Sequence, residues 1–237
     1  MPYCRSQSPS SFSQHLAREM KVWGRLRHEN IARLYGYIAK VKENVLTAGF
    51  VSPWCQNGTI TTYLKSNPRA DRFTLFRDVS CGLRYLHTHE PPIVHGDIKP
   101  DNVVIGDNER ALITDFGLSK IMDGVKTGQT STNFAISGSP RYMAPELMRD
   151  TDGKPLRTPK SDIWAYGCTS MQILVDKPPY AEKNNLQVFH CLLGGQSPYD
   201  WDLNVEYELV FSMCCHQEPS DRPTIGAVVE KLAFSRE

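Results

Sequence analysis

The sequence predicts an α+β protein in two unequal parts: one helix and a β-hairpin first, then a larger, mainly helical remainder. Three observations predict it. Leu16, Met20, Trp23 and Leu26 recur at spacings of four, three and three, which places them on one helical stripe. Two strand-like runs, Leu34 to Ala39 and Val45 to Val51, flank the polar Lys40-Val41-Lys42-Glu43-Asn44. From Asn57-Gly58 onward, long helical stripes enclose only short strands.

Each element has a local reason. Residues 1–10, rich in Ser and Pro, read as a disordered leader. Ser11-Phe12-Ser13-Gln14 fits a capping box that opens the first helix, and His28-Glu29-Asn30 closes its pattern. Phe76, Val79, Leu83 and Leu86 form a second stripe, stopped before Pro91-Pro92. Val103-Val104-Ile105 and Ala111-Leu112-Ile113 are short strands. Residues 118–140, rich in Ser, Thr and Gly, form a long loop of the length that is usually functional. Trp164, Met171 and Leu174 share another helix, and Ile225 to Leu232 fit a last one with Thr224 near its start.

Bulk properties narrow the functional classes. The 237 residues are 40% hydrophobic and 22% charged, ordinary for a globular protein, and there is no internal repeat. A net charge of +1 gives no electrostatic ground for nucleic acid or membrane binding. No apolar run approaches a membrane span. Met1 to Gln14 lack the apolar stretch of a secretory signal, so an intracellular, cytoplasmic location is expected. Seven cysteines stand without a Cys-x-x-Cys pair and read as reduced thiols in or near the core, not as a zinc site.

The chemistry is concentrated in three short motifs in fixed order. These are His95-Gly96-Asp97-Ile98-Lys99-Pro100-Asp101-Asn102, then Asp115-Phe116-Gly117, then Ala144-Pro145-Glu146. Each is weak alone, since an isolated Asp-Phe-Gly is more often a turn than a metal site. Together they resemble the protein kinase signature set of catalytic loop, metal-binding Asp-Phe-Gly and the end of the activation segment. Gly138 to Glu146 resembles a serine/threonine kinase activation segment across its length, with Ser139 at the position of the hydroxyl residue that meets the catalytic loop. Ser161 to Gly167 is similar to the central helix of the large lobe, whose aspartate supports the catalytic-loop backbone. Asp221-Arg222-Pro223 supplies an arginine for Glu146.

The resemblance implies a protein kinase-like fold, with residues 11–56 as a truncated small lobe and hinge and 57–237 as a complete large lobe. It implies ATP and Mg²⁺ as cofactors and a protein substrate phosphorylated on Ser or Thr. Asp97 is then the residue that orients the acceptor hydroxyl and takes its proton, and Lys99 sits beside the transferred phosphate. Asn102 and Asp115 bind magnesium, a hard cation that prefers oxygen ligands. Glu19 has the spacing of the helix glutamate that pairs with a strand lysine. Trp23, Leu34, His95 and Phe116 match an apolar column joining the lobes. With Gly58 aligned to the glycine after the hinge, Ser52 is the gatekeeper. Adenine would meet the Pro53 carbonyl and the Cys55 N–H, with Val104 as the floor beneath the base.

Three departures matter. Gly96 stands where the family commonly has arginine, so phosphorylation at Thr127, Thr130, Ser131, Thr132 or Ser137 finds no evident local cation, and a solvated hydroxyl-rich loop is the preferred reading there. No Gly-x-Gly-x-x-Gly occurs in the sequence, and no Val-Ala-x-Lys strand precedes the helix. His-Gly-Asp is also similar to small-molecule phosphotransferases, which lack the Gly138 to Glu146 segment and the Ser161 to Gly167 helix. Two explanations of the second departure stand open. The chain is a fragment or incomplete gene model of an ordinary kinase, or it is a catalytically impaired pseudokinase that acts as a protein-binding scaffold. A hairpin with an unpaired edge invites association, so completion by a partner protein is a third expectation.

Overall fold

The computed structural model describes residues 20–42, 45–116, 120–121, 140–149, 156–201 and 207–234. The expected leader, the Ser11 capping box, Leu16, Glu19, Gly117 and Thr127 to Ser139 lie outside the described residues. Backbone 20–23 is helical, and Trp23 and Leu26 are buried as the stripe predicts. Strand β1 (Gly36–Lys42) then pairs antiparallel with β2 (Val45–Val51), in a register from Gly36 opposite Val51 to Lys42 opposite Val45. The polar stretch expected to separate the strands is largely strand. Ladder hydrogen bonds join backbone groups and are indifferent to side-chain polarity, so pairing runs on to Lys42.

The remainder is helical around short ladders. Helix α1 (Ile60–Ser66) is capped by Thr59, whose side chain accepts the Thr62 N–H. Helix α2 (Arg72–His87) is capped by Asp71, which accepts the Thr74 N–H at 3.2 Å. Its stripe of Phe76, Val79, Leu83 and Leu86 is fully buried, worth roughly 1.5–3 kcal/mol per side chain. Next come β3 (Ile93–Val94), β4 (Val103–Ile105), β5 (Ala111–Ile113) and β6 (Lys120–Ile121). The pairs β4–β5 and β3–β6 are both antiparallel, so the segment expected as loop from 118 contains a short strand. Ile31 bridges to Ile113, which ties the end of the first helical segment to β5.

Helix α3 (Glu146–Arg149) is followed by α4 (Pro159–Val175), the centre of the molecule. A reciprocal capping box between Thr158 and Ser161, with Pro159 at the first helical position, fixes where α4 starts. The helix is buried on nearly every side, which is why its sequence lacks a clear polar face. Around it stand α5 (Asn185–Leu193), α6 (Glu208–Cys214) and α7 (Ile225–Phe234). Rings of Phe73, Phe76, Tyr207 and Phe211 pack α2 against α6 with centroids 5.1–5.3 Å apart. Where α4 meets α6, a Cβ added to Gly167 would stand 2.7 Å from Cys214 Cβ and 2.9 Å from Cys215 Sγ, so only glycine permits that approach. The cysteines among the described residues are free thiols, as expected. Burial pushes Cys214 and Cys215 well above the ordinary thiol range.

A buried polar connection joins α3 to the turn before α7. Arg222, with a fully buried side chain, holds both oxygens of Glu146 at 2.7 Å. It also donates to the carbonyls of His216 and Lys160 and lies 5.2 Å over the Trp164 ring. Truncating Glu146 leaves that guanidinium buried without its counter-charge. Urea denaturation of Glu146→Ala is expected to show a loss of about 3–5 kcal/mol with an unchanged urea slope.

Candidate active site

Strand β3 delivers His95 and Gly96 to the N-terminal turn of α4. There the buried Asp162 carboxylate receives three donors. Its Oδ2 accepts the His95 N–H at 2.8 Å, its Oδ1 accepts the Gly96 N–H at 2.8 Å, and His87 Nε2 lies 2.9 Å from Oδ2. Gly96 has φ +81°, a conformation that an L side chain adopts only under strain. The His95 ring is fully specified by its neighbours. Nδ1 accepts the Asp97 N–H at 3.2 Å, so Nε2 carries the proton and donates to the Thr114 carbonyl at 3.1 Å.

Asp97, Lys99 and Asn102 converge. Lys99 is extended, and a 3₁₀ turn over Pro100–Asn102 follows, closed by the Asn102 N–H on the Lys99 carbonyl at 2.9 Å. That turn folds the amide of Asn102 back, so Nδ2 donates to the Asp97 carbonyl at 2.8 Å and to Asp97 Oδ2 at 2.9 Å. Lys99 Nζ reaches the same Oδ2 at 2.6 Å. The Asp97 side chain is 22% exposed and that of Lys99 is 15% exposed, so the pair faces a cleft and is neither sealed nor loose.

Asp115 follows β5 in a left-handed conformation at φ +63° and is exposed. The Thr114 N–H bonds the Asn102 carbonyl at 2.9 Å, which sets Asp115 one residue from the turn that carries Asn102. Phe116 is buried between Trp23 and His95, with centroids 5.4 and 5.0 Å away, and Leu34 is buried in the same core. Of the four residues read as an apolar column, Trp23, Leu34 and Phe116 share one core, and His95 meets Phe116 edge-on.

The residues expected as a hinge lie between β2 and α1. Pro53 is exposed and Cys55 half-buried; burial first, then Asp107, raises the Cys55 thiol. The Cys55 carbonyl accepts the Gly58 N–H at 3.0 Å, and the Gly58 carbonyl accepts the Ile105 N–H at 2.9 Å. Thr59 also bridges Val104, so the segment before α1 is laced to β4, which carries the half-buried Val104. Two residues escaped the sequence reading. His87 stands four after Leu83 on the buried stripe, a spacing that signals its inward placement. Arg157 precedes α4 with no periodic signal at all.

Residues 4–234 match the family model described as protein kinase domain. The chain belongs to the protein kinase family. It is 36% identical over 254 aligned residues to the probable L-type lectin-domain containing receptor kinase V.3 of Arabidopsis thaliana, covering 96% of this chain and 36% of that protein. It is 31% identical to the probable L-type lectin-domain containing receptor kinase VI.1 of the same plant, over 90% of this chain and 32% of the relative. The serine/threonine-protein kinase CTR1 of Arabidopsis thaliana is 27% identical over 91% of the chain and 26% of its own length. The chain thus spans about a third of the length of the lectin-domain relatives, and less of the third. Its α+β architecture, a hairpin beside a helical lobe, is that of this kinase family. No helix among the described residues is long and apolar enough to cross a membrane.

The loop is expected to depend on Asp162. In Asp162→Ala the N–H groups of His95 and Gly96 lose their acceptor inside the protein, at about 1–3 kcal/mol for each buried orphan. A melting-temperature drop of several degrees, with accelerated amide exchange at those two residues, checks this.

Proposed function

We propose that this chain carries the phosphoryl-transfer site of a serine/threonine kinase, with residues 11–56 as small lobe and hinge and 57–237 as large lobe. The observation that carries the reading is the convergence of Lys99 and Asn102 on the Asp97 carboxylate, in a loop anchored to α4. Phosphoryl transfer needs placement and charge stabilisation more than covalent chemistry. Asp97 orients the acceptor hydroxyl of a protein Ser or Thr and takes its proton. Lys99 lies beside the transferred phosphate and offsets its charge. The serine/threonine kinase named among the relatives supports a hydroxyl acceptor of that kind.

The donor set fits the implied cofactors. Both Asn102 Nδ2 contacts go to Asp97, which reserves Oδ1 as a hard oxygen ligand, and Asp115, whose preceding residue bonds the Asn102 carbonyl, is exposed. Asn102 and Asp115 would hold Mg²⁺. At the hinge, the Pro53 carbonyl and Cys55 N–H would pair with adenine, above Val104. Bound Mg-ATP supplies the phosphoryl group; the residues named here bind, orient and move the proton.

A second reading, a pseudokinase scaffold, is favoured by one sequence observation: no Gly-x-Gly-x-x-Gly and no Val-Ala-x-Lys strand occur in these 237 residues. Kinases use that lysine together with the metal-bound aspartate. The readings separate in one assay. Phosphate transfer from Mg-ATP to a generic Ser/Thr peptide, reduced about 10²–10⁴-fold in Asp97→Asn, supports the enzyme. Absence of transfer and of any melting-temperature shift at millimolar Mg-ATP supports the scaffold.

A further inference from the structure

A buried cation stands behind the loop at Gly96. Arg157 is only 8% exposed, although it is an arginine in the connection leading into a helix. It directly precedes Thr158, the N-cap of α4, and the Thr158–Ser161 capping box fixes the backbone at that point. The cleft it enters is also lined by Gly96, Asp97, Tyr142, Ser161 and Asp162. Among the described residues lining that cleft, Arg157 is the sole cationic side chain. Gly96 brings no side chain of its own to this wall.

We propose that Arg157 is a positioning residue: from the start of α4 it sets a fixed positive charge in the cleft that Asp97 and Asp162 also line, and so holds the 95–97 loop in register. The electrostatics agree with the placement. Burial lowers the Arg157 guanidinium to about 10, while Asp97 first and Asp162 second pull it upward, so it is charged at neutral pH. Asp162 already accepts from the His95 and Gly96 N–H groups, and Asp97 holds Lys99 and Asn102. Lys99 is one cation beside Asp97; a second one in the shared cleft lowers further the repulsion between two carboxylates on adjoining elements. Gly96 brings no charge to the loop, and the cationic side chain lining the cleft comes from a neighbouring element. That arrangement leaves Gly96 free to hold its positive φ without strain.

The effect on turnover rests on the kinase reading above; the effect on the loop does not. Amide exchange by NMR on the full chain reads the loop. In Arg157→Met, the His95 and Gly96 amides are expected to exchange about tenfold faster, with α2 and α7 unchanged. Arg157→Lys, which keeps the charge, is expected to recover most of that protection. In phosphate transfer, Arg157→Met is expected to lose about 10²-fold in kcat with little change in KM for ATP, as a displaced catalytic group does. If wild type transfers no phosphate, the kinase reading fails and exchange alone decides Arg157. Unchanged exchange in a folded Arg157→Met overturns the proposal, as does a uniform rise across α2 and α4, which means packing only. Should Arg157→Met not fold, Arg157→Lys decides: wild-type protection supports the charge role, and lost protection overturns it.

Discussion

Asp162 is a carboxylate with almost no solvent contact, and taking such an ion out of water costs several kcal/mol before anything is gained. The fold offsets that cost with the N–H groups of His95 and Gly96 and the ring of His87, each a charge-assisted bond worth roughly 1.5–3 kcal/mol. Those three donors come from the two residues that follow β3 and from the last turn of α2. One side chain of the central helix therefore joins three elements, and the loop bearing Asp97 cannot move without leaving a buried ion short of partners. The same anchor holds the Gly96 backbone at its positive φ.

The two parts of the molecule differ in how they are held. The helical part surrounds α4 with side chains on nearly every side, and its polar crossing points are closed by Arg222–Glu146 and by Arg110–Asp78. The hairpin part presents Tyr35, Tyr37, Ile38 and Trp54 to solvent and pairs β1 only with β2 among the described residues. Its attachment runs through Trp23, which packs on both Phe50 and Phe116, and through residues 30–32, whose backbone joins β5. Trp23 thus connects the hairpin to Phe116, the residue after Asp115.

Much of this was legible in the sequence. The stripe of α2, the strands β4 and β5 and the start of α7 follow from periodicity and turn residues, because those signals depend on local geometry alone. The Asp97, Lys99 and Asn102 cluster is compressed into six residues, so its spacing alone brings the three together. The extension of β1 to Lys42 and the strand β6 were missed, since ladder pairing is decided by a partner strand and not by the polarity of the run itself.

Sequence alone determined the order of the motifs and the family they resemble, because each motif is local. Only the tertiary structure decided what stands behind them. His87 lies eight residues before His95 and Asp162 lies 67 after it, yet the three meet at one carboxylate. Arg157 carries no pattern that a sequence could reveal; its burial beside Gly96 exists only because α4 starts there. Contacts between distant segments are set by packing of whole elements, and the energy of a buried charge depends on which donors that packing brings within reach.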